Sequence, residues 1–186
     1  MPYKPIVKHL RCFFEGGATI ESNHIGSFTV IALLFLAVFP ASAALRSSVP
    51  SQVCSFLADS GLATQGWKKQ YDQEFGCASP YKELGSGFPL ANNLAYYAEG
   101  SSSAVRLVTL VLNVNNRASA SSGHQQLLEA ASDLSVKATG EQLPQALKDA
   151  IKNGSKASQK LGLAVVEVVR EDWPTGKGYE VKVIIK

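Results

Sequence analysis

A run of twelve residues without a charge, Phe28 to Phe39, is the feature that most limits how this chain can fold. The run is followed by PASA at residues 40–43, which matches the small-x-small pattern of a signal-peptidase site. A membrane-spanning helix needs about 20 apolar residues, more than this run provides before its proline. We therefore predict that residues 1–43 are a signal peptide and that residues 44–186 form one domain.

Two properties of the N-terminal segment leave alternatives open. Roughly 27 residues precede the apolar run, and Glu15 and Glu21 are unusual in the basic region of a signal peptide. Translation that begins after Met1 would explain this length. A retained apolar helix would instead anchor the domain in a membrane. We expect a periplasmic or secreted protein that meets the membrane only through this segment, with anchoring as the alternative.

The cysteines agree with export. Cys12 lies in the predicted signal peptide, so the mature domain keeps the pair Cys54 and Cys77. Such a pair is expected to form a disulfide in an oxidising compartment, whereas a reducing one would leave two buried thiols. The spacing is not CxxC and therefore predicts neither a thioredoxin-like redox centre nor a zinc site.

The distribution of charge argues against a nucleic-acid partner. The chain has 18 lysines and arginines against 15 acidic residues, a formal net charge of +3. Nucleic-acid-binding domains usually gather their basic residues on one face or along one helix. Here the basic residues are scattered among acids, so we predict no binding of nucleic acid.

A hairpin over residues 93–115 is the clearest element of the folded part. Alternating side chains on both sides of the Gly100–Ser103 turn predict two antiparallel strands. The return strand, Val105 to Val114, is apolar on both faces, which is typical of a strand in the middle of a sheet.

The whole pattern predicts an α+β domain with the order α-β-β-β-α-α-β-β. We expect a mainly antiparallel sheet of about five strands with helices packed on one face. The predicted elements are a helix from Ser51 to Gly61, one or two strands within 67–79, a surface loop over 80–93, the hairpin, helices that begin at Ser122 and at Pro144 (the latter ended by Gly154), and strands over 163–170 and 179–186.

No group of residues predicts a catalytic or metal site. His124 is the one histidine after residue 43, and we expect it to cap a helix or face water. The sequence contains neither a Gly-x-Ser-x-Gly elbow nor a DxDxDG loop. We predict no catalytic residue, no metal and no cofactor. The alternative is an exported hydrolase without a linear motif, recognisable by a deep pocket that holds His124 beside an acid and a hydroxyl.

The hairpin supplies the functional hypothesis. Tyr97, Val105, Leu107 and Val111 are predicted on the side away from the helices, where the first helix, the 80–93 loop or a second molecule must cover them. The chain is therefore interpreted as a small exported, disulfide-bridged, non-enzymatic binding protein with an unknown protein or small ligand as partner. An adaptor, an inhibitor or immunity-type protein and a small-ligand carrier all fit. A membrane-tethered structural component is a further alternative.

Overall fold

A computed structural model describes residues 44–88 and 90–186, so the predicted signal peptide lies outside the described residues. This part of the chain is α+β, with one antiparallel sheet of eight strands and three α-helices. No helix in it has the length and apolar character needed to span a membrane. The elements are α1 (Pro50–Val53), β1 (Lys68–Tyr71), β2 (Glu74–Ala78), β3 (Lys82–Leu84), β4 (Asn92–Gly100), β5 (Val105–Val114), α2 (Ala120–Thr139), α3 (Gln145–Asn153), β6 (Ala157–Leu161), β7 (Ala164–Asp172) and β8 (Tyr179–Ile185).

The strands of the sheet follow the order β1-β2-β4-β5-β8-β7-β6, and β3 also pairs with β4. Every pair is antiparallel. β5 lies in the middle between β4 and β8, as its two apolar faces predict. The last strand of the chain, β8, enters the sheet beside β5, so the C-terminal residues complete its centre.

All three helices pack on one face of the sheet, so the first helix does not cover the other face. Gly123 of α2 lies so close to β5 that a Cβ there would be 3.2 Å from Cδ1 of Leu112. On the same face, the hydroxyl of Tyr96 in β4 donates to the carbonyl oxygen of Val53 in α1 at 2.8 Å. The packing of α3 against α2, β6 and β7 extends this layer, which shares one hydrophobic core with the sheet.

The prediction of about five strands was too low. It missed β3 and β6, and residues 67–79 contain two strands, β1 and β2. The sequence of β6 is ASQKL, and only Leu161 in it is buried because the strand lies at the edge of the sheet. β3 has three residues in the predicted 80–93 loop. Such short, exposed strands bury too little surface to show an alternating pattern.

The helix boundaries differ partly from those predicted. α2 begins at Ala120, before the expected cap at Ser122, because it continues directly from a 3₁₀ turn at Arg117–Ser119. α3 ends at Gly154 with φ 58°, as predicted for a left-handed C-cap. The expected first helix is a single α-helical turn, α1, followed by hydrogen-bonded turns up to Gly61.

The backbone is joined to the domain from Ala44 onward. The N–H of Ala44 donates to the carbonyl of Leu163 at 2.9 Å, and the N–H of Arg46 donates to the carbonyl of Ala138 at 2.7 Å. The carbonyl of Ser48 then accepts from the first residue of β5 at 2.9 Å. None of these contacts requires a residue before Ala44.

Candidate binding face and the cluster around His124

Cys54 and Cys77 form a disulfide, which confirms the predicted pairing. Their Cα atoms are 6.0 Å apart, and the two residues are 6% and 2% exposed. The bond joins the end of α1 to β2 on the helical side of the sheet. Since α1 has only four residues, this covalent link fixes an element that has little helical stability of its own.

The opposite face of the sheet carries no helix in the described part of the chain. Its central side chains are half-buried, apart from Ala95, which pairs with Val111 and is fully buried. Tyr97 pairs directly with Thr109, which pairs in turn with Ile184. We name this surface the open face and define it by Tyr97, Leu107, Thr109, Val111, Val169 and Ile184.

Val105, which was predicted on the same side, lies in the core instead. It is 4% exposed and belongs to the hydrophobic core. The pairing changes at this point, since Glu99 pairs with Leu107 but Gly100 pairs with Val105, so that Arg106 is an extra residue. A bulge of this kind interrupts strict alternation and moves the residues before it to the other side. The prediction that placed Val105 on the same side as Leu107 and Val111 assumed an unbroken strand.

The hydroxyl of Tyr97 stays neutral on the open face. Burial raises the pKa of Tyr97, and the neighbouring Tyr81 and the negative charge of Glu180 raise that pKa further. The phenol is an apolar ring with a hydroxyl at its tip, here next to that of Tyr81. Tyr97 therefore combines an apolar ring with a polar tip, which is typical of side chains that are common in binding interfaces.

Lys182 forms ion pairs with two acidic residues that face each other at the margin of the open face. Glu171 and Glu180 pair directly across β7 and β8. The Nζ atom of Lys182 lies 3.1 Å from the carboxylate of Glu171 and 2.8 Å from that of Glu180. Burial lowers the pKa of Lys182, but the two carboxylates outweigh this and raise the pKa above its usual 10.5. The ammonium thus stabilises two neighbouring carboxylates that would otherwise repel each other.

Lys182→Met is expected to lower the free energy of unfolding by about 1 kcal/mol at pH 7, because it leaves two carboxylates opposed. Lys186→Met, whose side chain is 48% exposed and pairs only with Glu167, is the control and should cost about 0.3 kcal/mol. Since the folded pKa of Lys182 is raised, its contribution is complete below about 10.5 and is lost as pH rises through the folded value. Urea denaturation from pH 7 to 11 should show the free energies of unfolding of the wild type and Lys182→Met converging as pH rises. A difference between these two proteins that does not change with pH would contradict this.

His124 is buried, so it does not face water as one of its two expected roles required, and it bonds to the end of α3 rather than to its own helix. The residue is 5% exposed. Its Nδ1 atom lies 2.6 Å from the carbonyl oxygen of Ile151 and 3.1 Å from that of Lys152, at the end of α3. Its Nε2 atom lies 3.0 Å from the hydroxyl of Tyr179. With the proton on Nδ1, the ring donates to α3 and accepts from Tyr179, so both nitrogens are satisfied.

Two arginines and an aspartate enclose the ring of Tyr179. The guanidinium carbon of Arg170 lies 3.8 Å from the centre of the ring, and that of Arg117 lies 5.4 Å from it. Asp172 accepts from Nη2 of Arg170 at 2.8 Å and from its Nε at 3.1 Å. These hydrogen bonds lower the pKa of Asp172. The cluster is a bridge between α2, the end of α3 and the sheet.

Sequence reasoning did not find this cluster. Arg170 and Asp172 occupy alternate positions of one strand, which is a weak signal by itself. Tyr179 comes beside them only because it pairs with Asp172 across β7 and β8. His124 joins them through helix packing, which no local pattern indicates.

An open groove of about 680 Å³ lies beside His124. Hydroxyl groups of Ser119, Ser121 and Ser122 are in its lining, together with Lys152, but no acidic residue is. None of the hydrogen bonds of His124 goes to a carboxylate. The groove therefore lacks the histidine, acid and hydroxyl arrangement of a hydrolase. Across residues 44–88 and 90–186, no group of histidine, cysteine and acidic side chains has the arrangement of a metal site.

Together, the fold and these surfaces define a small disulfide-bridged α+β domain with helices on one side and an open sheet on the other. The chain belongs to a family of unknown function, DUF6030, whose model matches residues 39–175. The matched range includes both cysteines of the disulfide, His124 and most of the open face. No curated protein and no solved structure shows significant similarity to the chain.

Proposed function

We propose that this protein is exported and acts by binding a protein or small ligand, without catalysis. The observation that carries the proposal is the open face, a half-buried surface at the centre of an eight-stranded sheet. Aromatic and aliphatic side chains at its middle and paired charges at its margin resemble the core and rim of a protein interface.

Two features support export. The disulfide between Cys54 and Cys77 is stable in an oxidising compartment and would be reduced in most cytosols. Ala44 donates to Leu163, and cleavage after residue 43 removes none of the hydrogen bonds that join residues 44–88 and 90–186 to one another. A chain processed at that position keeps the complete described fold.

The bonding of His124 supports a role other than catalysis. A histidine that activates a serine needs a free nitrogen as the base and an acid that orients the ring. Both nitrogens of His124 are already occupied, one by the end of α3 and the other by Tyr179. The Nδ1 contacts join α2 to the end of α3 and the Nε2 contact joins α2 to β8, so this ring is suited to holding the structure together.

Affinity capture with residues 44–186 from the native compartment tests the binding proposal. Val111→Ser changes the open face at a half-buried position, and Leu163→Ser is the matched control at a 66% exposed position in the β6–β7 turn. We expect a specific partner with the wild type and with Leu163→Ser, and at least about a tenfold lower yield with Val111→Ser. Equal recovery with all three proteins would show that the open face is not the binding surface.

A further inference from the structure

The segment that contains β3 and the loop after it exposes an unusual amount of apolar surface. Tyr81, Phe88 and Leu90 are 62%, 97% and 63% exposed, and they lie within ten residues of one another. Isolated exposed apolar residues are ordinary, but several on one loop mark an interaction surface. We name the described residues 81–88 and 90 the Phe88 loop.

The backbone directs Phe88 away from the domain. Gly87 lies in a tight turn, where a Cβ would be 2.7 Å from the carbonyl oxygen of Leu90 and 2.9 Å from Cα of Ala91. Gly85 has φ 75°, a conformation that favours glycine. The aromatic ring therefore stands at the tip of a turn that only small residues can form.

A second apolar surface lies around α1. A groove of about 600 Å³ is lined mainly by apolar side chains, among them Pro50, Ala58, Ala63 and Trp67. Val49, which directly precedes Pro50, is 47% exposed. We name this surface the Trp67 groove. It has room for a phenyl ring, yet the chain's own Phe88 is 97% exposed and does not occupy it.

The charges beside the two surfaces are complementary. Lys68 and Lys69 follow Trp67 in the edge strand β1, and both are exposed. Glu83, in β3, is an exposed part of the Phe88 loop, and the ammonium of the adjacent Lys82 donates to the carbonyl of Ser60 at 2.9 Å. Within the described residues none of Lys68, Lys69 and Glu83 forms a salt bridge. Opposite charges next to matching apolar surfaces favour contact in one orientation.

We propose that the Phe88 loop of one copy binds in the Trp67 groove of a second copy. The two surfaces differ, so each added copy still has a free loop or a free groove, and the contact builds rings or chains. This association does not use His124, and it borders the open face only where Tyr81 lies next to Tyr97. Its test changes Phe88 and Ala63, which lie outside the open face, so its failure is distinguishable from failure of the binding function proposed above.

Complementing variants test this contact. Phe88→Ser removes the aromatic ring and Ala63→Arg fills the groove, both at exposed positions that leave the core intact. In sedimentation velocity, the wild type should form species larger than a dimer as concentration rises, while each variant alone should stay monomeric. An equimolar mixture should form dimers only, from the loop of Ala63→Arg and the groove of Phe88→Ser. Leu163→Ser, the control, should assemble like the wild type.

Several results would overturn the proposal. A wild type that remains monomeric at every concentration has no such contact. If Phe88→Ser or Ala63→Arg assembles with less than about a tenfold change in dissociation constant, the association uses other surfaces. A monomeric mixture of the two variants would exclude loop-in-groove contact. A different protein captured through Phe88 by a monomeric wild type would assign the loop to that partner.

Discussion

The double variant Cys54→Ala, Cys77→Ala is expected to have a free energy of unfolding about 3.5 kcal/mol below that of the oxidised wild type. The disulfide closes a loop between residues 23 positions apart, and its loss restores that conformational freedom to the unfolded chain. α1 should be affected first, because without the disulfide it depends on weaker ties to the sheet such as the hydrogen bond from Tyr96 to Val53.

Urea denaturation of the oxidised protein, the reduced wild type and the double variant measures this effect. The reduced wild type should resemble the double variant, since both lack the covalent link while the substitutions are small. Tyr96→Phe in each background removes the hydrogen bond from Tyr96 to Val53 in α1. We expect this substitution to lower the free energy of unfolding by about 1 kcal/mol. An oxidised protein no more stable than the reduced one would mean that the disulfide does not support this fold.

Gly154→Ala is expected to destabilise the protein by about 3 kcal/mol, through two separate effects. The residue has φ 58°, which costs a residue with a side chain about 1 to 2 kcal/mol. A Cβ there would also lie 2.7 Å from Cε1 of His124 and 3.2 Å from Nη1 of Arg170. Overpacking of this kind typically adds a cost of about 1 to 3 kcal/mol.

Gly176→Ala is the matched control, because Gly176 has φ 67° and a Cβ there would meet no atom of the described residues within 4 Å. Its cost should be about 1 kcal/mol, from the backbone alone. Thermal denaturation of both variants gives the steric cost at residue 154 as the difference between their losses of stability. In a His124→Ala background the extra cost of Gly154→Ala should shrink, since its main obstacle is gone. Equal costs for the two glycine variants would contradict the placement of His124 at the end of α3.

Local patterns were sufficient for the interior of the fold. β5 is apolar on both faces and lies centrally, and Gly154 ends α3 as a left-handed residue. Both features follow from the types of residue in the element itself. β3 and β6 were missed because an edge strand needs few apolar residues, and its existence depends on a neighbour far away in sequence.

Prediction of the open face and of the cluster around His124 needed contacts between distant segments, which no single segment of the sequence indicates. Val105 was assigned to the open face because strict alternation was assumed, while the extra residue Arg106 shifts the pairing. His124 bonds to Tyr179, 55 residues away, and this contact follows from the register of β7 and β8 together with the packing of α2. Cys54 and Cys77 were predictable since only one pair remained after residue 43.

Export with an oxidised cysteine pair is the claim that sets where the proposed binding function takes place. Protein isolated from its native host, alkylated first without and then with reductant, tests it by intact mass and N-terminal sequencing. We expect a chain that starts at Ala44 and whose Cys54 and Cys77 react only after reduction. A chain that still starts at Met1, with both cysteines alkylated before any reductant is added, would contradict the account.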